Sequence, residues 1–166
     1  MSKPFVAVLM GSKSDLPVIE KTLDVLKALE IPFEVRITSA HRTPDVTHAY
    51  VKDADQRGCG VFIAAAGLAA HLAGTVAGLT IKPVIGIPLD AGPLQGMDAL
   101  LSTVQMPGGI PVASVAVGSA GAKNAAYLAA QILSLADADL AGRIRAERQA
   151  NAEAVVAADR DLQEQL

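Results

Sequence analysis

The residues best suited to chemistry fall in two short polar stretches, Gly11-Ser12-Lys13-Ser14-Asp15 and Ser39-Ala40-His41-Arg42, each directly after an apolar run that reads as a β-strand. The first supplies small residues, hydroxyls and one carboxylate. The second supplies a guanidinium, whose planar fork matches phosphate oxygens, and an imidazole, the ring that trades a proton near neutral pH. Ligands of an open parallel sheet bind outside the carboxyl ends of adjacent strands, so the two stretches are predicted to face each other across one crevice. There they suit a phosphorylated sugar held beside a reacting group. His41, flanked by Ala40 and Arg42, lies off any apolar helical face and is the candidate general acid or base. Ser12 and Ser14 are candidates to hold phosphate or ribose, and Asp15 to accept from a sugar hydroxyl. Taken singly, the same residues fit plainer roles: Asp15 as a helix cap and His41 as a solvated loop side chain.

Other chemistries find little material. The first stretch has neither the glycine spacing and Gly-Lys-Ser/Thr of a Walker A loop nor the three glycines of a dinucleotide fingerprint. Three histidines and one cysteine show no ligand spacing, so no metal and no cofactor is expected. No Gly-x-Ser-x-Gly nucleophile elbow occurs. His48 reads as an ordinary solvated side chain. His71 differs, because it follows a third strand within Ala65-Ala66-Gly67-Leu68-Ala69-Ala70-His71-Leu72, where small residues let a ligand approach the backbone and exclude bulk water.

These loops require a scaffold of alternating strands and helices. Apolar runs at Phe5-Met10, Phe33-Ile37, Val61-Ala64, Val84-Pro88 and Val112-Val117 alternate with helical spacings such as Val18, Leu23, Leu26, Leu29 and Tyr127, Leu128, Ile132, Leu135. The pattern predicts a single α/β domain over residues 1–166, a three-layer sandwich around a parallel, flavodoxin-like sheet. Asp15 before Leu16-Pro17 and Thr43 before Pro44 are predicted N-caps, which puts both polar loops at helix N-termini, where free N–H groups favour anions. From Asp137 to Leu166 a thin apolar stripe (Leu140, Ile144, Val155, Leu162, Leu166) predicts a long C-terminal helix that packs on its own domain or reaches a neighbour.

Composition narrows the partners. With no Trp, three Phe, two Tyr and a net charge of -3, base stacking and phosphate-backbone binding lack the residues they need, and no nucleic-acid partner is expected. The uncharged run Cys59–Ile81 has the length of a membrane span, but Gly67, His71, Gly74 and Gly78 interrupt it and no membrane partner is expected. A lone cysteine and a start, Met1 to Pro4, without signal-peptide character predict a reducing cytoplasm. Between Cys59 and Ala136 only Lys82, Asp90, Asp98 and Lys123 are charged. A small chain cannot bury half its length, so this half is predicted to be covered by other copies in a homo-oligomer.

Four blocks together resemble the class I PurE family: Gly11-Ser12-x-Ser14-Asp15, Ser39-Ala40-His41-Arg42-Thr43-Pro44, Ala69-Ala70-His71-Leu72 and Gln105-Met106-Pro107-x-Gly109-Ile110-Pro111-Val112. The order and spacing agree over essentially the whole chain. The resemblance implies a three-layer α/β fold assembled as an octamer. It implies a small-molecule substrate, N5-carboxyaminoimidazole ribonucleotide, whose carboxylate moves to ring carbon C4 in purine biosynthesis without metal, ATP or biotin. On the matching positions, His41 would be general acid and base, Arg42 and Ser39 would hold the 5′-phosphate, and Ser12, Ser14 and Asp15 would bind the phosphate and ribose side. Gly67, Ala70, His71 and Leu72 would enclose the imidazole and a transient CO2, with His71 near the carboxylate. The chain departs from the family at Ala73, where proline is often found, and at Leu68, where a smaller residue is common.

Two rival readings remain open at this level. A carboxylase adding free CO2 to the unsubstituted aminoimidazole ribonucleotide would share the central intermediate. A flavodoxin-like binding module would need aromatic residues around a flavin, or clustered acidic residues after the first strand for phosphate reception, and the chain has neither.

Overall fold

The computed structural model describes residues 3–166; Met1 and Ser2, read above for a leader, lie outside the described residues. Five strands, β1 (Phe5–Met10), β2 (Phe33–Ile37), β3 (Cys59–Ala66), β4 (Val84–Pro88) and β5 (Ala113–Ser114), form one sheet in the order β2-β1-β3-β4-β5. Every pairing is parallel. This is the expected flavodoxin-like order, in which the chain reverses its direction of winding between β1 and β3. The central strands are apolar on both faces because helices cover both. Val6, Val8 and Met10 of β1 point to one layer and Ala7 and Leu9 to the other.

The first layer contains α1 (Leu16–Ala28), α5 (Gly118–Ser134) and the base of α6 (Ala138–Gln163). The second contains α2 (Pro44–Gln56), α3 (Leu72–Ala77) and α4 (Met97–Val104). Gly86 in β4 shows how closely α4 packs: a Cβ there would lie 2.4 Å from the methyl of Thr103. A larger residue in β4 would push α4 off the sheet.

Three expectations need correction. The fifth strand was expected over Val112–Val117, yet only Ala113 and Ser114 pair, with Ile85 and Gly86. The chain leaves the sheet because α5 starts almost on top of it. A Cβ at Gly121 would fall 2.2 Å from the Ala116 carbonyl oxygen, and Asn124 Nδ2 donates to the Val115 carbonyl at 3.0 Å in place of a ladder partner. Second, the buried face of α5 is Ala122, Ala125, Ala126, Ala129 and Ala130, not the larger residues. Small side chains let it sit close to the sheet and to α1, where Thr22 Oγ1 donates to the Ala122 carbonyl at 2.8 Å. Tyr127, Leu128 and Ile132 flank that face, and Leu135 is 89 % exposed. Third, Asp15 and Thr43 stand at the N-cap positions of α1 and α2, but neither side chain caps its helix.

The C-terminal helix is present as expected, capped by Asp137, whose carboxylate accepts from the Leu140 N–H at 2.9 Å. Of its apolar stripe only Leu140 and Ile144 are buried, while Val155, Leu162 and Leu166 are exposed. Tyr127 donates to Glu147 at 2.6 Å, and burial beside that carboxylate pushes the phenol up to about 12. In the charge-poor half, Ile81 is 98 % exposed, and Leu94, Met97, Leu101 and Val104 also face outward. The Cys59–Ile81 run divides between β3 and the short α3. No helix among the described residues is long and apolar enough to cross a membrane.

Candidate active site

A cleft of about 480 Å³ opens at the carboxyl ends of β1, β2 and β3. Gly11, Ser12, Ser14 and Asp15 line it after β1, Ser39, Ala40, His41 and Arg42 after β2, and Ala66, Gly67, Leu68, Ala69, His71 and Leu72 after β3. Ala91, from the loop after β4, completes the wall.

The first loop is a single 3-10 turn, Lys13–Asp15, closed on itself. Asp15 Oδ2 accepts from the Ser12 N–H at 3.0 Å, and Ser12 Oγ accepts from the Ser14 N–H at 3.3 Å. This reciprocal pair is a capping box, and it explains why Asp15 is unavailable as a cap for α1. The Ser14 hydroxyl lies 2.9 Å from Ser12 Oγ and 3.3 Å from Asp15 Oδ1, so two hydroxyls and a carboxylate form one compact hydrogen-bonding surface.

The second loop is held by threonines. Thr38 Oγ1 shares hydrogen bonds with Thr47 Oγ1 at 2.6 Å and Thr43 Oγ1 at 3.2 Å, and Thr43 Oγ1 accepts from the Ser39 N–H at 2.9 Å. Thr43 is thus drawn into the turn rather than onto the end of α2. Ser39 Oγ accepts from the Arg42 N–H at 3.2 Å, and the Arg42 guanidinium donates to the Gly11 carbonyl at 2.8 Å, tying the second loop to the first.

On the third side, the wall is nearly free of polar side chains. Gly67 is needed for close approach, since a Cβ there would lie 2.9 Å from the Ala91 methyl. Leu68 adopts a left-handed backbone, φ 57°, which carries the chain over toward Gly92. His71, the last residue before α3, returns to the cleft. Its Nδ1 lies 2.7 Å from His41 Nε2, with the rings edge-to-face. A hydrogen bond between two ring nitrogens needs one hydrogen, so one ring donates and the other accepts.

Nine of the ten residues expected at the site therefore line one cleft. Ala70 is the exception. It is 1 % exposed and does not line the cleft, and its N–H donates to Ser102 Oγ at 2.9 Å behind the wall. The sequence reading missed Ala91, which the strand-end rule applied to β4 would have flagged. It also missed Thr38, Thr47 and Ser102, and gave Thr43 a capping role in place of its role in the loop; these roles depend on tertiary contacts. Cys59 sits at the opposite end of β3, and burial pushes its thiol up to about 11, which makes it a poor nucleophile at neutral pH. Among the described residues, no three His, Cys, Asp or Glu side chains come together as a metal site requires.

The family profile described as AIR carboxylase (AIRC) matches residues 5–154. The chain belongs to that family. It is 50 % identical over 147 residues to the N5-carboxyaminoimidazole ribonucleotide mutase of Bacillus subtilis, covering 89 % of this chain and 91 % of the relative. It is 49 % identical over 161 residues to the Mycobacterium tuberculosis protein of the same name, covering 97 % and 91 %. Among solved structures, Treponema denticola PurE superposes with a TM-score of 0.87 at 34 % identity, covering 96 % of this chain and 98 % of that one. The PurE kinship expected from the four blocks is met, and the family match takes in β1 to β5 and the cleft they carry.

Proposed function

We propose that this chain converts N5-carboxyaminoimidazole ribonucleotide to 4-carboxy-5-aminoimidazole ribonucleotide in purine biosynthesis. The observation that carries the reading is the meeting of His41 and His71 over a wall of small residues, beside a phosphate-matching Arg42, in a chain half-identical to proteins named for this activity. Arg42 and Ser39 hold the 5′-phosphate, and Ser12, Ser14 and Asp15 take the ribose and phosphate side. The imidazole lies against Gly67, Leu72 and the backbone of 66–69, with His71 facing the carboxylate.

The bond between the amine nitrogen and the carboxylate carbon breaks, releasing CO2, while His41 delivers a proton to that nitrogen. Ring carbon C4 then attacks the trapped CO2, and the C4 proton returns to His41. One proton leaves and one returns, so the imidazole ends as it began. A CO2 held against apolar walls reacts at the effective concentration of an intramolecular partner, and recapture outruns escape. No metal or cofactor enters this reading.

His41→Asn tests it. Removal of a sole acid–base group is expected to lower kcat by about a thousandfold or more while nucleotide binding, measured by calorimetry, changes by only a few-fold. A near-normal rate would remove His41 from the chemistry. The family description, AIR carboxylase, favours a second reading in which free CO2 is the donor. Turnover in isotopically labelled bicarbonate separates the two: the mutase leaves label out of the product, and the carboxylase incorporates it.

The exposed Ile81, Leu94, Met97 and Leu101 support a homo-oligomer, which we take to be an octamer. Light scattering at micromolar concentration is expected to return a particle several times the 17.0 kDa chain mass, and a stable monomer would refute it. The lone buried thiol supports a cytoplasmic setting.

A further inference from the structure

Although no part of Ser102 reaches the cleft, its hydroxyl lies behind the one peptide that aims His71. The segment that carries His71 is bent tightly. Leu68 is left-handed, and three residues later the His71 N–H turns back to the Ala69 carbonyl at 2.9 Å. A turn of this kind, centred on Ala70, needs an outside partner for the Ala70 N–H, which is buried.

Ser102, on α4, supplies it. Its Oγ accepts from the Ala70 N–H at 2.9 Å, and its own hydrogen has the Asp98 carbonyl at 2.7 Å and the Ala99 carbonyl at 3.2 Å as acceptors within its own helix, so the oxygen is held on α4. The same oxygen lies 3.5 Å from the Leu68 carbonyl. The next residue, Thr103, is buried with its Oγ1 2.7 Å from the Ala99 carbonyl and its methyl set against Gly86 of β4. The rotation and height of α4 are therefore locked to the sheet, and Ser102 cannot drift with the loop.

We infer that Ser102 is a positioning residue, which fixes the Ala70 peptide and thereby holds the His71 ring against His41. The inference rests on the proposed reading of the cleft for its effect on turnover, though not for its effect on the ring itself. Without the hydroxyl, the Ala70 N–H loses its partner and the 68–71 turn relaxes. The 2.7 Å approach of the two imidazoles is the distance most exposed to that change, because among the described residues the His71 ring has no hydrogen-bond partner other than His41, while Thr75 Oγ1 holds only the His71 carbonyl.

The test uses the full chain with nitrogen-labelled histidine. In Ser102→Ala, the ring-nitrogen signals of His71 and His41 are expected to shift in the substrate-free protein, because the contact between them loosens. With substrate, kcat is expected to fall by about tenfold with KM within about twofold, as small misplacement of a reacting geometry predicts. Ser102→Thr keeps the hydroxyl and is expected to restore both readouts, and it serves if the alanine variant fails to fold. Unchanged ring signals in Ser102→Ala, or a threonine variant that folds but shows displaced ring signals and lowered kcat relative to the parent, would overturn the inference. The nitrogen spectrum does not depend on which reaction the cleft performs. A failure of the proposed function would therefore appear in the His41→Asn kinetics and leave the spectral result intact.

Discussion

The two sides of the cleft are built on opposite plans. The side formed by 11–15 and 39–42 presents hydroxyls, a carboxylate, a guanidinium and an imidazole, and each loop is tied down by its own side chains or by near neighbours such as Thr38, Thr43 and Thr47. The side formed by 66–72 and Ala91 presents mainly backbone and small apolar groups, and its polar anchor, Ser102, lies behind it on α4. Directional groups identify and orient a charged ligand. A side without them excludes water and leaves a neutral molecule such as CO2 few partners to stray to. On the proposed reading the cleft separates recognition from enclosure, and His41 and His71 meet where the two sides join.

Apart from His41, whose proposed acid–base role is read in kcat, this contrast predicts that damage to the recognition side is read mainly in KM, and damage to the enclosing side mainly in kcat. Arg42→Leu should give the larger effect. It removes the charge-assisted bonds proposed for the phosphate and the tie to the Gly11 carbonyl, so KM is expected to rise roughly a hundredfold, about 2–3 kcal/mol of lost binding. Arg42→Lys, which keeps the charge but not the fork, should recover part of it. If steady-state kinetics found kcat lowered and KM untouched, the division between the two sides would be wrong.

Gly67→Val attacks the other side. The added side chain runs into the Ala91 methyl, 2.9 Å from the ideal Cβ, and forces apart the loops after β3 and β4. Overpacking of this kind is expected to cost about 1–3 kcal/mol of stability, measurable by denaturant titration. The opened wall should lower kcat by about tenfold as the held reactants lose their alignment. A rise in KM alone would mean that the enclosing side also recognises the nucleotide.

Legibility in the sequence follows the same division. The recognition side could be read directly, because Ser12, Asp15, His41 and Arg42 are polar residues at strand ends, and strand ends are visible as apolar runs. The sheet is readable for the same reason: β1, β2 and β4 have the expected bounds, β3 extends two residues past Val61–Ala64 at each end, and alternation with helices implies parallel strands, though their order is not written in that alternation. The enclosing side was harder. Gly67 and His71 can be located, but Ala70, expected on the wall, is buried and does not line the cleft, since nothing in an Ala-Ala-His run says which residue faces inward. Periodicity misleads on α5 because it takes large residues to mark the buried face, whereas close packing selects alanines. The fifth strand was overextended because Val115 and Val117 have strand propensity that the entry into α5 overrides. These misses share a cause: each depends on how closely two elements approach, which a one-dimensional pattern does not record.

Leu68 offers the finest probe of the contrast, and the smallest effect. Its left-handed backbone costs an L-residue about 1–2 kcal/mol relative to the right-handed region, and glycine avoids that cost. Glycine also has a more flexible unfolded chain, a disadvantage of about 0.4–1 kcal/mol. Its substitution further removes the leucine methyl that lies 2.5 Å from the ideal Cβ position at Gly92, a contact that spans the loops after β3 and β4. These terms nearly cancel, so Leu68→Gly is expected to leave thermal stability within about 1 kcal/mol of the parent. Enclosure should suffer instead. With the bridge to Gly92 gone, kcat is expected to fall about two- to threefold and KM to stay level. A variant that lost stability without losing rate would mean that Leu68 serves the fold and not the cleft, and the enclosing side would then reduce to Ala66, Gly67, Ala69, Leu72 and Ala91 beside His71.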